Sequence, residues 1–158
     1  MYFPDLSPYT YGPSPPHLIR DGADLKWADI PVLNVGWLGL EEATPVHLKM
    51  PLQELLDALW FLCLSDEGQK RKVNHMMGWH SCEFRSCRES GLPGRIPKDG
   101  LGCAEIRVVG KGVIYAAPDL IYHYVDEHWY GPPEPFVDAV LHAESGVVEV
   151  TIPLGRLP

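Results

Sequence analysis

The run His80-Ser81-Cys82-Glu83-Phe84-Arg85-Ser86-Cys87 gathers the residue types of a soft-metal site into a few positions. Zinc takes thiolates and imidazoles in a tetrahedron, and Cys-x4-Cys lies within the spacing of a ligand pair. A second pair must come from elsewhere, and His123 and His128 are the candidates. On a regular helix these two lie roughly 140° apart and do not readily share a metal. His128 falls on the face of Leu120, Ile121, Tyr124 and Val125, so it points inward. His123 lies on the flank of Asp126 and Glu127, where an ion pair or a solvated imidazole explains it. The expected centre is therefore zinc on Cys82 and Cys87, with His128 and His80 completing the shell. The plainer alternative is two ordinary cysteines and a hydrogen-bonded core histidine.

A catalytic reading draws on overlapping residues. Glu105 and Arg107 share one strand face with Cys103, and a Glu beside an Arg there is either a tuned acid/base pair or a surface ion pair worth under about 1 kcal/mol. An enzyme would use a site among Cys82, Cys87, Glu105, His123 and His128, with Cys82 or Cys87 as nucleophile. The sequence holds no Gly-x-Ser-x-Gly elbow, His-Glu-x-x-His, Gly-x-Gly-x-x-Gly or calcium loop, and Gly110-Lys111-Gly112 is turn chemistry.

These residues need elements to position them. Five prolines among the aromatics of residues 1–20 forbid a helix and predict an extended arm whose rings pack on the domain. Residues 32–38 read as a buried strand. Residues 51–64 read as a helix with Pro51 at its first position and a core stripe of Leu52, Leu55, Leu56, Leu59, Trp60 and Cys63. Residues 65–78 read as a solvated connection, 79–84 as a short strand and 88–102 as a long loop. A hairpin of 103–109 and 113–116 follows, then a helix from Pro118 to Trp129, a Gly131-Pro132-Pro133 stop, a helix over 134–142 and a last strand over 147–152. The pattern predicts one α+β domain over 1–158: a small, mostly antiparallel sheet, about three helices and the Pro-rich arm.

The chain has 158 residues, and Lys+Arg 13 against Asp+Glu 21 leaves a formal charge of −8. That balance argues against nucleic acid, which needs a cationic face, and fits either plain solubility or docking on a basic partner. No apolar run approaches the length of a membrane span, and the first residues lack a signal-peptide pattern, so the expected location is cytoplasmic with reduced cysteines or a metal. Asp119, Asp126, Glu127, Glu134, Asp138 and Glu144 concentrate negative charge late in the chain. Asp126 and Glu127, with Trp129 and Tyr130 as aromatic anchors, make the expected partner-binding face.

The strings Pro4-Asp5-Leu6-Ser7-Pro8-Tyr9, Asn34-Val35-Gly36-Trp37-Leu38, Cys82-Glu83-Phe84, Glu105-Ile106-Arg107-Val108 and Tyr115-Ala116-Ala117-Pro118-x-Leu120-Ile121-Tyr122-His123-Tyr124-Val125 resemble a family of small uncharacterised bacterial proteins. Its members tend to show Cys-Glu-Phe-Cys, and this chain carries Arg85 at the last of those positions, which leaves Cys87 to substitute. The resemblance implies no activity. The functional expectation is a small acidic binding protein, of which an immunity-type protein that neutralises a toxin is the most concrete version, with the enzyme as alternative.

Overall fold

A computed structural model of the chain describes residues 1–12, 17–21, 24–28, 30–39, 47–89 and 100–142. The strand expected over 147–152 and most of the loop expected over 88–102 lie outside the described residues, as does Glu144.

The sheet is built on the predicted hairpin. Strands β4 (Glu105–Gly110) and β5 (Val113–Pro118) pair antiparallel, and the left-handed glycine at position 112 closes their tight turn. Strand β3 (Val32–Asn34) pairs parallel to β5, which places β5 at the centre. The sheet is thus mixed and mostly antiparallel, inside an α+β domain. The apolar run over 32–38 forms a strand only to Asn34; Val35, Trp37 and Leu38 remain buried beyond it. Separately, β1 (His17–Asp21) and β2 (Asp24–Ala28) form an antiparallel pair that the proline content of the arm concealed.

The arm adds along β3. Tyr9 N–H donates to Val32 O and Leu6 N–H to Asn34 O, while Asn34 N–H donates to Ser7 O. The fully buried Asn34 amide donates to Ser7 Oγ and to Pro8 O. Phe3, Tyr9 and Tyr11 surround Trp37 with ring centroids 5.8, 6.5 and 5.0 Å away.

Helix α1 (Gln53–Leu64) starts after Leu52, two residues later than Pro51 implied. Its buried side is Leu55, Leu59 and Cys63, with Leu56 half-buried, whereas Leu52 and Trp60 of the expected stripe are exposed. Residues 66–71, read as a solvated connection, form α2 (Asp66–Arg71). Ser65 caps it by accepting from Gly68 N–H at 2.9 Å, with acids in the first turn and bases in the last. The strand expected at 79–84 is absent; that stretch is irregular and runs into α3 (Arg85–Glu89). Pro118 ends β5, so α4 (Ile121–His128) begins later than predicted. Helix α5 (Glu134–Leu141) lies where the proline stop placed it. Leu55, Leu59, Cys63, Ile121, Val125, Phe136 and Val140 of three helices meet Ile106, Val108 and Tyr115 of the sheet in one core.

Candidate metal centre

Three parts of the chain supply four donor atoms. Cys82 sits in the irregular stretch before α3 and Cys87 within α3, where Phe84 O accepts from both Cys87 N–H and Arg88 N–H. That turn folds Cys-x4-Cys back on itself, so both thiols face one point. Helix α4 brings His123 and His128 to the same point.

The distances fit a tetrahedron. His128 Nε2 lies 3.3 Å from Cys82 Sγ, 3.3 Å from Cys87 Sγ and 3.2 Å from His123 Nε2, and His123 Nε2 is 3.4 Å from Cys87 Sγ. All four donor atoms fall within 4.8 Å of one another. Bonds of the usual zinc lengths at tetrahedral angles place two nitrogens about 3.3 Å apart and a nitrogen and sulfur about 3.6 Å apart. Hydrogen bonding alone accounts poorly for the cluster, because one Nε2 has a single proton or a single lone pair and His128 Nε2 faces three heteroatoms. A cation at the centre serves all four at once. The cluster is a Cys2His2 group consistent with a zinc site.

Aromatic rings cover one side of the cluster. Phe84 and Tyr124 are buried, and the Phe84 ring lies tilted against that of His128 with centroids 4.5 Å apart. Burial first, and then the nearby Cys82, Glu83 and Cys87, hold the Tyr124 phenol well above its ordinary range. Cys82 is buried, while Cys87, His123 and His128 are half-buried. None of the four cysteines is in a disulfide.

A buried ion pair fixes the cysteine stretch against the start of α4. Lys72 Nζ lies 2.9 Å from Asp119 Oδ2 with both side chains fully buried, and Asp119 Oδ1 accepts from Gly102 N–H at 2.6 Å. Gly102 O in turn accepts from His80 N–H at 2.7 Å. Gly102 adopts φ +97°, and a Cβ there would stand 2.1 Å from His80 O, so only glycine permits the approach.

Two expectations need correction. His80 is not among the four; its ring is exposed, and its backbone serves the Gly102 contact. His123 takes the place assigned to it. The 140° argument assumed a regular helix, but Trp129 N–H donates to Tyr124 O, five residues back, and Trp129 is left-handed at φ 53°. This widened last turn departs from the regular spacing the 140° argument assumed, and His128 Nε2 stands 3.2 Å from His123 Nε2.

Of the five residues named for a catalytic site, Cys82, Cys87, His123 and His128 come together and Glu105 does not. Glu105 lies outside the cluster, almost fully buried in a separate network in which Oε1 accepts from Tyr9 Oη at 2.9 Å and Asn74 Nδ2 at 3.1 Å, and Oε2 from Arg107. The Arg107 guanidinium covers the Tyr9 ring at 4.7 Å. Glu105 and Arg107 are thus neither a surface pair nor part of the cysteine site. Of the expected partner face, Asp126 and Glu127 are exposed and Trp129 is 54% exposed. Tyr130 is 2% exposed and donates its hydroxyl proton to Asp5 Oδ2, so it is a core residue and no surface anchor. No helix among the described residues is long and apolar enough to cross a membrane.

Residues 1–141 match a family model described as Domain of unknown function (DUF7919). No curated protein and no solved structure matches the chain.

Proposed function

The chain belongs to the DUF7919 family, and we propose that it is a binding protein whose helices are held by a structural zinc ion on Cys82, Cys87, His123 and His128. The observation that carries this is the convergence of four donor atoms within 4.8 Å. Four protein ligands close a tetrahedral shell, whereas catalytic zinc keeps a position open for water or substrate. The pocket beside the cluster, lined by Trp37, Leu38, Ser81, Glu83, Leu120 and Tyr124, takes none of the four ligands into its wall. Zinc here would tie the irregular cysteine stretch to the end of α4.

The action is docking on a protein with basic surface, in a soluble cytoplasmic setting. It is supported by the charge of −8 and by the exposed Asp126, Glu127 and Trp129. Neutralisation of a toxin is the concrete version. Metal analysis of native protein purified without chelator tests the reading: one zinc per chain is expected, lost in Cys87→Ser and His128→Ala. Metal-free protein of unchanged melting temperature overturns it.

A further inference from the structure

The stretch before α1 carries a feature that the zinc site does not use. His47 O accepts from Gly131 N–H at 2.7 Å and Lys49 N–H donates to Trp129 O at 2.8 Å, so residues 47–49 pair antiparallel with residues 129–131 around Leu48 and Tyr130. In this pattern Leu48 is a non-hydrogen-bonded residue, and its N–H and C=O point to the opposite edge. Met50 follows two residues on. Among the described residues neither backbone makes a hydrogen bond. Leu48, Met50 and Leu52, at alternate positions of this stretch, are 71%, 75% and 55% exposed. Singly exposed apolar residues are ordinary, but a row of three beside unpaired backbone is a strand edge of the kind proteins normally cover or charge.

We propose that residues 48–52 form a docking edge for an extended, basic segment of another protein, which adds as a β-strand. Main-chain bonds to Leu48 and Met50 would supply affinity, and apolar side chains at alternate positions would cover the ledge of Leu48, Met50 and Leu52. Charge selects the occupant. Glu54 and Asp57 follow on the exposed side of α1, and Asp126 and Glu127 precede Trp129 on α4, against the exposed cation Lys49 in the edge itself. A second copy of this chain would bring its own net charge of −8 to the same edge. The inference deepens the binding reading by naming the surface and the partner's form, and it is independent of the zinc.

Hydrogen exchange with a short synthetic peptide alternating Val and Lys tests it. In the protein alone the Leu48 and Met50 amides exchange fast while those of Lys49 and Gly131 are protected. The peptide should slow Leu48 and Met50, and its affinity should fall about tenfold or more on N-methylation of alternate residues or in Leu48→Ser/Met50→Ser. Amides already protected without peptide overturn the proposal: protection that grows with protein concentration assigns the edge to a second copy, and protection independent of it assigns the edge to the chain itself. Absent binding, or binding indifferent to both changes, overturns it too. Zinc content measured on the same samples reports separately on the metal reading.

Discussion

His123 Nε2 and His128 Nε2 stand 3.2 Å apart although five residues separate them on one helix. The contact goes with a widened turn at Tyr124 O, where a regular helix would point the two rings apart. The zinc proposed for this site would therefore depend on the open turn at the end of α4. Asp126 and Glu127 lie inside that turn and Trp129 at its end.

Thiol chemistry should separate the cysteines. With zinc bound, Cys82 and Cys87 are expected to resist a disulfide reagent at mild alkaline pH, and chelation should expose both. Cys63 should stay silent in either state, because full burial pushes its thiol up to about 12. Cys103 should react slowly, its thiol also raised by burial. Equal reactivity of Cys82 and Cys87 before and after chelation counts against a metal.

How much of this was legible in the sequence depended on whether local pattern or tertiary contact decided the outcome. The hairpin, α5 and the buried positions of α1 follow periodicity and proline placement, which are local. Cys82, Cys87 and His128 were legible as residue types at suggestive spacing. His123 was not, because its role depends on a departure from helical regularity that a helical wheel assumes away. Glu105 was misplaced because its burial requires Tyr9 and Asn74 from two distant segments beside Arg107 of its own strand. The signal for α2 was present in Ser65 followed by Asp66 and Glu67, a capping pattern masked by the polarity of the stretch.

The corrected face of α1 gives a direct comparison of neighbours. Leu59→Ala should cost about 2–5 kcal/mol, since Leu59 is fully buried between the helices. Leu56→Ala should cost less than half as much, because Leu56 is only half-buried at the edge of the core. Urea denaturation of the two variants decides it, and equal losses would mean that Leu56 lies as deep as Leu59.

Lys72 and Asp119 form a fully buried pair, so removing one charge strands the other. Lys72→Met should destabilise the fold by about 3–5 kcal/mol. Asp119→Asn should add a second effect: it weakens acceptance of the Gly102 N–H that holds the His80 backbone, and so loosens the stretch leading to Cys82. Zinc affinity is expected to fall more in Asp119→Asn than in Leu59→Ala of comparable stability. Parallel affinities in the two would show that the pair does not position the cysteines.

Tyr9 makes the stability depend on alkaline pH. Its hydroxyl donates to Glu105 Oε1 at 2.9 Å and accepts from Asn74 Nδ2 at 3.0 Å. Burial chiefly, and then the Glu105 carboxylate, raise the phenol from its ordinary value to about 12, with Arg107 opposing. Between about 10 and 12 the native state keeps a proton that the unfolded chain releases, so the native state binds more protons and stability falls as pH rises. Below about 10 both states hold the proton and this contribution is fully present. Tyr124 and Tyr130 are also raised by burial and act in the same direction, so the decisive quantity is a difference. The urea midpoint of wild type minus that of Tyr9→Phe should be constant up to about pH 10 and shrink above it, because the phenylalanine variant lacks the titrating group. A difference that stays constant through that window would place the Tyr9 phenol at its ordinary value and leave the Glu105 network without a protonation role.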